Sequence, residues 1–584
     1  MYMKKIIGHS IQAVIVEVFI IFCLIFLINN YFKNVDTTIK SDGVGYYDYL
    51  PSMFIHHDIT RKDIPLQNNS GIYNRINTIG AYVNYKAFKV DKYPCGTAVL
   101  QLPFFLTTLT TTNLEGNFTD GYQRPFQIGI FHATIFYLFL SLFFLKRTLE
   151  LFNTKKYIII LTQLFFVFAT SVTHYANYDA GFSHIYSLFA ITAFIYFVKL
   201  FFTRKNINHF VIACLFLGLI LILRQINVII LLFVPFLAGS LENLKDGISK
   251  LFGNRIKLFL GISLVLGIFF IQCFLWYLQT GHFLIYSYQG EGFNFRDPHI
   301  INILFSYRKG LFVYTPVLFL CLLSILFLAY KRNYYLAFTW IAFFSILTYI
   351  LSSWWTWFYN DSYGLRVYID FYTVFFIPFA IMLNEAPVIM KLVFIVLSFL
   401  TVPVNIIQTY QYDNFILHWS QMNKDKYWKV FLKTDVRYQG LLWTKKYDFR
   451  NYRTLKEIPL GNIMVNKNKF EVFYRLNSSE ISGFQNVCII QVSLDNDYGK
   501  NNDSEIILVI EESNTKHNYY WNKIPLLHFP EGEFNKFQTG VGNFEFLPIT
   551  DQKEKQIEFA VNSGKYNGIL RNVRLKFLGQ KENK

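Results

Sequence analysis

From the N-terminus to Tyr412 the chain alternates long apolar runs with short polar breaks. The runs begin near Ile11, Phe126, Tyr157, His184, His209, Ile226, Leu258, Gly310, Tyr334, Phe371 and Lys391. As helices they can cross a hydrocarbon core of about 30 Å, which predicts a polytopic α-helical membrane protein with about eleven transmembrane helices. Beyond Tyr412 the apolar residues fall into short alternating runs, such as Phe470 to Tyr474, Val487 to Val492 and Ile506 to Ile510. A period of two marks strands with one buried face, so a C-terminal β-sandwich is expected over 456–584. In the linker 413–455, His418 to Leu432 sets Trp419, Met422, Tyr427, Trp428 and Phe431 among lysines, the pattern of an interfacial helix. The expected organisation is a membrane domain over 1–412, an interfacial linker and the sandwich.

Composition fits that pattern. The 584 residues are 53% hydrophobic and 19% aromatic, with mean hydropathy +0.29, which calls for a bilayer as solvent. The net charge of +17 is scattered between apolar runs, never gathered into a basic stripe beside stacking aromatics, so no nucleic-acid partner is expected. Cys23, Cys95, Cys214, Cys273, Cys321 and Cys488 form no CxxC pair and suggest neither zinc nor a disulfide framework. Lys4/Lys5, Lys146/Arg147/Lys155/Lys156, Arg204/Lys205, Lys245/Lys250/Arg255/Lys257 and Lys331/Arg332 alternate with loops poorer in basic charge. The positive-inside bias then puts the N-terminus in the cytoplasm. The first run, Ile11 to Phe32, is too long for a signal-peptide core and is read as a retained anchor. On this topology residues 34–123, 174–183, the turn at Arg224, 280–309, 354–370 and everything after Tyr412 lie outside.

That outer face carries the residues suited to chemistry. The first outer loop holds Ser41-Asp42-Gly43-Val44-Gly45-Tyr46-Tyr47-Asp48. Asp42 suits a general base, with glycines that allow close approach and with Tyr46 and Tyr47 able to stack on a sugar; it equally suits a helix cap. Lys92-Tyr93-Pro94 offers a cation before a re-entrant or interfacial helix. Asp179 and His184 stand five residues apart at the start of a span, either as an acid and an imidazole in a site or as a cap and an ordinary hydrogen-bonded histidine. Arg224, Arg308, Lys309 and Arg366 lie at outer span ends, where positive-inside bias depletes cations, and guanidinium forks match phosphate. Snorkelling, or pairing with Asp361 and Asp370, would also account for each one. Trp354, Trp355 and Trp357 form either an interfacial belt or a sugar-stacking surface.

Ser41-Asp42-Gly43 to Pro51, Lys92-Tyr93-Pro94 to Phe105, Tyr178 to Phe189, Leu223 to Asn227, Arg308 to Pro316 and Trp354 to Arg366 together resemble bacterial GT-C glycosyltransferases. These are membrane enzymes related to protein mannosyltransferases and the lipid A aminoarabinose transferase. The resemblance spans Met1 to Tyr412 and implies hexosyl or pentosyl transfer, with inversion, from a polyprenyl-phosphate-linked sugar donor to a glycan, lipid or protein acceptor outside the bacterial cytoplasmic membrane. It assigns the base to an acid of the first outer loop, a place Asp42 matches. Many relatives follow that acid with a second one; here Gly43 follows and the next acid is Asp48, so Asp42, Asp48 and Asp179 all stand as catalytic candidates. Arg224, Arg308, Lys309 and Arg366 would hold phosphate, and Tyr46, Tyr47, Lys92, His184, Trp355 and Asp361 would contact substrate. No cofactor is legible, although a divalent metal could assist. A transporter or flippase for a lipid-linked saccharide, and a silent anchor for the outer sandwich, are the competing readings. The lack of repeated halves favours the enzyme over the transporter.

Overall fold

Leu, Ile, Phe and Val dominate the apolar runs, and in a bilayer a run of that kind must satisfy its backbone internally, so it folds as helix. The computed structural model describes residues 14–28, 35–60, 81–86, 88–114, 120–435, 438–439, 441–442, 452–466, 469–497, 505–512, 518–525, 537–545, 554–563 and 568–580. The chain divides into two compact units, Met1–Tyr410 with Trp419–Lys424, and Gln411–His418 with Asp425–Lys584.

Among the described residues, six helices are long and apolar enough to cross a membrane: Arg124–Leu151, His184–Arg204, Arg255–Thr280, Tyr334–Ser352, Arg366–Glu385 and Val388–Asp413. Shorter apolar helices cover Ile15–Leu27, Lys156–Phe168, Ile207–Leu223 and Val317–Tyr330. The run expected as a straight span from Ile226 is instead broken. A 3-10 helix Gln225–Phe233 and a short helix Val234–Ala238 precede Leu241–Gly253, with a bend of 117°; counted as one span, the bent pair brings the described residues to seven that pass on length and composition. Gly239, at φ +84, makes that bend. The run from Gly310 is also interrupted: Leu311–Tyr314 forms one helical turn, and Pro316 restarts the helix at Val317. In the first helix, the carboxylate of Glu17 is fully buried. It meets Lys146 Nζ at 3.0 Å and Gln163 Nε2 at 2.9 Å, a polar tie between apolar helices.

The stretch before Gly96 folds as a β-hairpin, β1 (Tyr82–Tyr85) and β2 (Phe88–Asp91), that the alternation did not reveal. It leads directly into α1 (Gly96–Leu114), in the place of the re-entrant or interfacial helix expected there.

The second unit holds two four-stranded antiparallel sheets, in the orders β3-β10-β5-β8 and β4-β9-β6-β7. Their strands are β3 (Tyr452–Val465), β4 (Phe470–Asn477), β5 (Val487–Asp497), β6 (Glu505–Glu512), β7 (Asn518–Pro525), β8 (Phe537–Glu545), β9 (Lys555–Asn562) and β10 (Gly568–Gln580). Val492, Phe544, Leu575 and Phe577 of the first sheet share one core with Leu476, Leu508, Ile510 and Phe559 of the second. These are the inward positions of the alternation, as a sandwich requires. The interfacial helix expected over His418 to Leu432 is shorter, Lys424–Val430, with Tyr427 buried and Trp428 exposed. Residues 443–451 of the expected linker, and 61–80 and 115–119 of the expected first outer loop, lie outside the described residues.

Candidate functional site

Asp42 is the first residue of α2 (Asp42–Phe54), where the helix dipole favours negative charge. Ser41 before it has φ 49, an unusual backbone for a residue with a side chain, and sets the angle at which α2 leaves the chain. Gly43 explains why no second acid follows. A Cβ there would lie 3.1 Å from the backbone of Gly181, and one on Gly181 would lie 2.6 Å from the Thr38 carbonyl oxygen. This close glycine contact brings the loop of Asp179 beside the N-terminus of α2. Gly181→Ala should therefore destabilise the unit by about 1–3 kcal/mol, read as a lower unfolding temperature in detergent; an unchanged temperature would show that the loop is not pinned here.

Two ion pairs meet at that point. Arg366 Nη1 lies 2.7 Å from Asp42 Oδ2, and the Tyr93 hydroxyl also bonds Asp42. Asp179 is held by His174 Nε2 at 2.8 Å, with Lys40 Nζ at 3.8 Å. The Lys40 ammonium sits 3.1 Å from the Tyr178 ring centroid. Burial alone would push both carboxyls up, but Arg366, Tyr93 and Lys92 outweigh it at Asp42, and His174 with Lys40 and Arg366 at Asp179. Both are held below the ordinary carboxylate range.

A second cluster comes from the antiparallel pair α3 (His184–Arg204) and α4 (Ile207–Leu223). The tight link between them returns the chain to its starting level, so Arg224, at the end of α4, meets His184, at the start of α3, at 3.1 Å. The fully buried carboxylate of Asp370 joins them. It lies 2.8 Å from His184 Nδ1, 2.7 Å from Asn227 Nδ2 and 3.6 Å from Arg224 Nη1. Tyr46 lies within electrostatic reach of Asp42, Arg224 and Arg366, which makes the two clusters one site. Its ring packs 4.6 Å from that of Tyr93. Tyr288 closes another side, near Arg224 and Asp42, and Lys92 pairs with Glu291 at 3.2 Å. Burial raises the hydroxyls of Tyr46, Tyr93 and Tyr288, so they remain neutral donors.

Six of the sequence candidates lie away from this cluster or are already engaged. Asp48 is fully buried on a different face of α2, where Ser52, Tyr82 and Tyr122 donate to its carboxylate, so it organises the loop and does not face Asp42. Tyr47 is core: its hydroxyl donates to the Gly121 carbonyl and its ring packs on Phe105 and Tyr122. Arg308 stacks 3.4 Å from the Phe358 centroid and donates to the Ser420 carbonyl. Lys309 is buried and donates to the carbonyls of Ser362 and Trp419, bracing the loop before Arg366; burial pulls its pKa down to about 7. Trp355 and Asp361 are exposed. Position in a loop gives no hint of whether a side chain faces a cavity or a core, which is why the sequence grouped these with Asp42, Asp179, Tyr46, Lys92, His184, Arg224 and Arg366.

Lys40, His174, Asn227, Tyr288 and Glu291 complete the cluster and were not singled out. An Asn or Tyr in an apolar context carries no motif; only Lys40, two residues before Asp42, could have been weighed as a further outer cation.

The chain matches no family model, no curated protein and no solved structure. Among the described residues no group of three or more His, Cys, Asp or Glu side chains is placed to hold a metal ion.

Proposed function

We propose that this protein is an integral-membrane glycosyltransferase of the GT-C type, transferring a sugar from a polyprenyl-phosphate donor to an acceptor outside the bacterial cytoplasmic membrane. The reading takes the shorter apolar helices and the bent pair as spans alongside the long ones, about eleven in all, with a cytoplasmic N-terminus and an extracytoplasmic sandwich. The observation that carries it is the juxtaposition of a partly solvent-open carboxylate, Asp42, with the guanidinium groups of Arg366 and Arg224 among buried tyrosines. Such a set offers a base together with cations for a departing phosphate.

The acceptor hydroxyl gives its proton to Asp42 while its oxygen forms a bond to the anomeric carbon. The bond from that carbon to the phosphate oxygen breaks, and the polyprenyl phosphate departs with the electron pair, its charge met by Arg366 and Arg224. Attack opposite the leaving group inverts the anomeric centre. Tyr46 and Tyr93 offer rings and hydroxyls to the sugar. Asp179, fixed by His174, adds a second negative centre beside the positive charge that develops on the sugar ring as the phosphate departs.

The test is transfer of labelled sugar from polyprenyl-phosphate donors to membrane acceptors by the purified protein. Arg366→Gln is expected to lower kcat by about 10²–10³-fold, the usual effect of removing one preorganised charge partner of a transition state. Absence of transfer with every donor, together with retained binding of the lipid phosphate, would move the assignment to the transporter reading.

A further inference from the structure

Among the described residues, four cations that line the site are each met by an acid: Arg366 by Asp42, Arg224 by Asp370, Lys92 by Glu291 and Lys40 by Asp179. A phosphate arriving at any of these four must share the cation or displace a carboxylate. The pairs differ in what displacement leaves behind. Arg224 is 3.6 Å from Asp370, which keeps His184 and Asn227 as partners, so in turning toward a phosphate Arg224 gives up only its 3.1 Å contact with His184 Nδ1, an atom that stays on Asp370. Asp179 likewise keeps His174.

The Asp42–Arg366 pair is different. At 2.7 Å it is a charge-assisted hydrogen bond, and it caps the carboxylate assigned above as the base. Asp42 is 25% exposed and Arg366 13%. Loss of Arg366 would therefore not strand a buried charge, because Asp42 opens toward solvent and keeps the Tyr93 hydroxyl as an orienting donor. A phosphate presents the same kind of oxygen pair to the guanidinium fork and carries more charge than a carboxylate.

Resting on the phosphate-sugar donor proposed above, we propose that donor binding is a ligand exchange at Arg366. The phosphate takes the guanidinium from Asp42, and only then does Asp42 accept a hydrogen bond from the acceptor hydroxyl. The resting protein holds its base capped by the residue that will grip the donor, so the donor must bind before the acceptor.

The exchange makes a prediction that a plain phosphate site does not. Removing the Asp42 charge removes the competitor for Arg366, so an inactive variant should bind the phosphate more tightly. The full-length protein in detergent micelles is titrated with farnesyl phosphate, with farnesol and inorganic phosphate as comparators, and folding is followed by thermal unfolding. Asp42→Asn, with Asp42→Ser as a second variant, is expected to bind farnesyl phosphate about five- to tenfold more tightly than wild type. Arg366→Gln should bind more weakly, and Asp42→Asn should bring no gain in the Arg366→Gln background, as a shared partner requires. Equal or weaker binding by folded Asp42 variants overturns the exchange, while wild-type binding that depends on Arg366 leaves the phosphate reading standing. Binding of farnesol as tight as that of farnesyl phosphate, or none by wild type, overturns both. Inorganic phosphate competing at equal concentration would place the recognition in the headgroup rather than the lipid chain.

Discussion

Asp42→Asn is expected to lower the rate of sugar transfer by about 10²–10⁴-fold, the contribution of a positioned general base. The amide keeps the shape of the carboxylate at the start of α2 and can still bond Tyr93, but it cannot take a proton. The pH profile gives a second readout. A base must be ionised, so activity falls as pH drops through its pKa. In the free protein Asp42 is partly buried, which alone would raise its pKa, yet Arg366, Tyr93 and Lys92 hold it below the ordinary carboxylate range. The acid limb of kcat/KM, which reports the free enzyme, should therefore lie below that range. Once the donor has taken Arg366 the holding charge is shared, and the acid limb of kcat should lie at higher pH than that of kcat/KM. A folded Asp42→Asn protein with undiminished kcat would pass the base role to Asp179, which is held by His174 beside the same helix end.

The second large effect concerns stability. Asp370→Leu should destabilise the membrane unit by about 3–5 kcal/mol, the cost of removing one member of a buried charged network. The carboxylate is fully buried and gathers His184, Asn227 and Arg224. Leucine would leave the Arg224 guanidinium and the His184 ring facing an apolar side chain. Thermal unfolding in detergent measures the loss. Asp370→Asn, which keeps an acceptor, should recover part of the stability but weaken donor binding, because Arg224 would no longer be drawn to its place by charge. Equal stability of the leucine variant and wild type would show that the network does not organise this end of the helices.

The sequence by itself determined the class of element. Long apolar runs without backbone partners in a bilayer fold as helix, and the alternation after Phe470 pairs as sheets because every second residue is buried. It also exposed Asp42, Asp179, Arg224 and Arg366, since charges at the ends of apolar runs are costly and stand out. What it could not determine was which polar residues share a site. Asp42 and Asp48 lie six positions apart on one helix and look alike in the chain, yet one is partly open beside Arg366 and the other is enclosed by Ser52, Tyr82 and Tyr122. The bend after the Ile226 run and the break before Val317 follow from Gly239 and Pro316, backbone signals that hydropathy does not register. Tertiary structure alone decided that Gly43 rests on Gly181, that α3 and α4 fold back to set Arg224 on His184, and that Arg366 reaches a residue more than three hundred positions earlier in the chain. Hydropathy senses only transfer between water and lipid, whereas a site is fixed by contacts between residues distant in sequence.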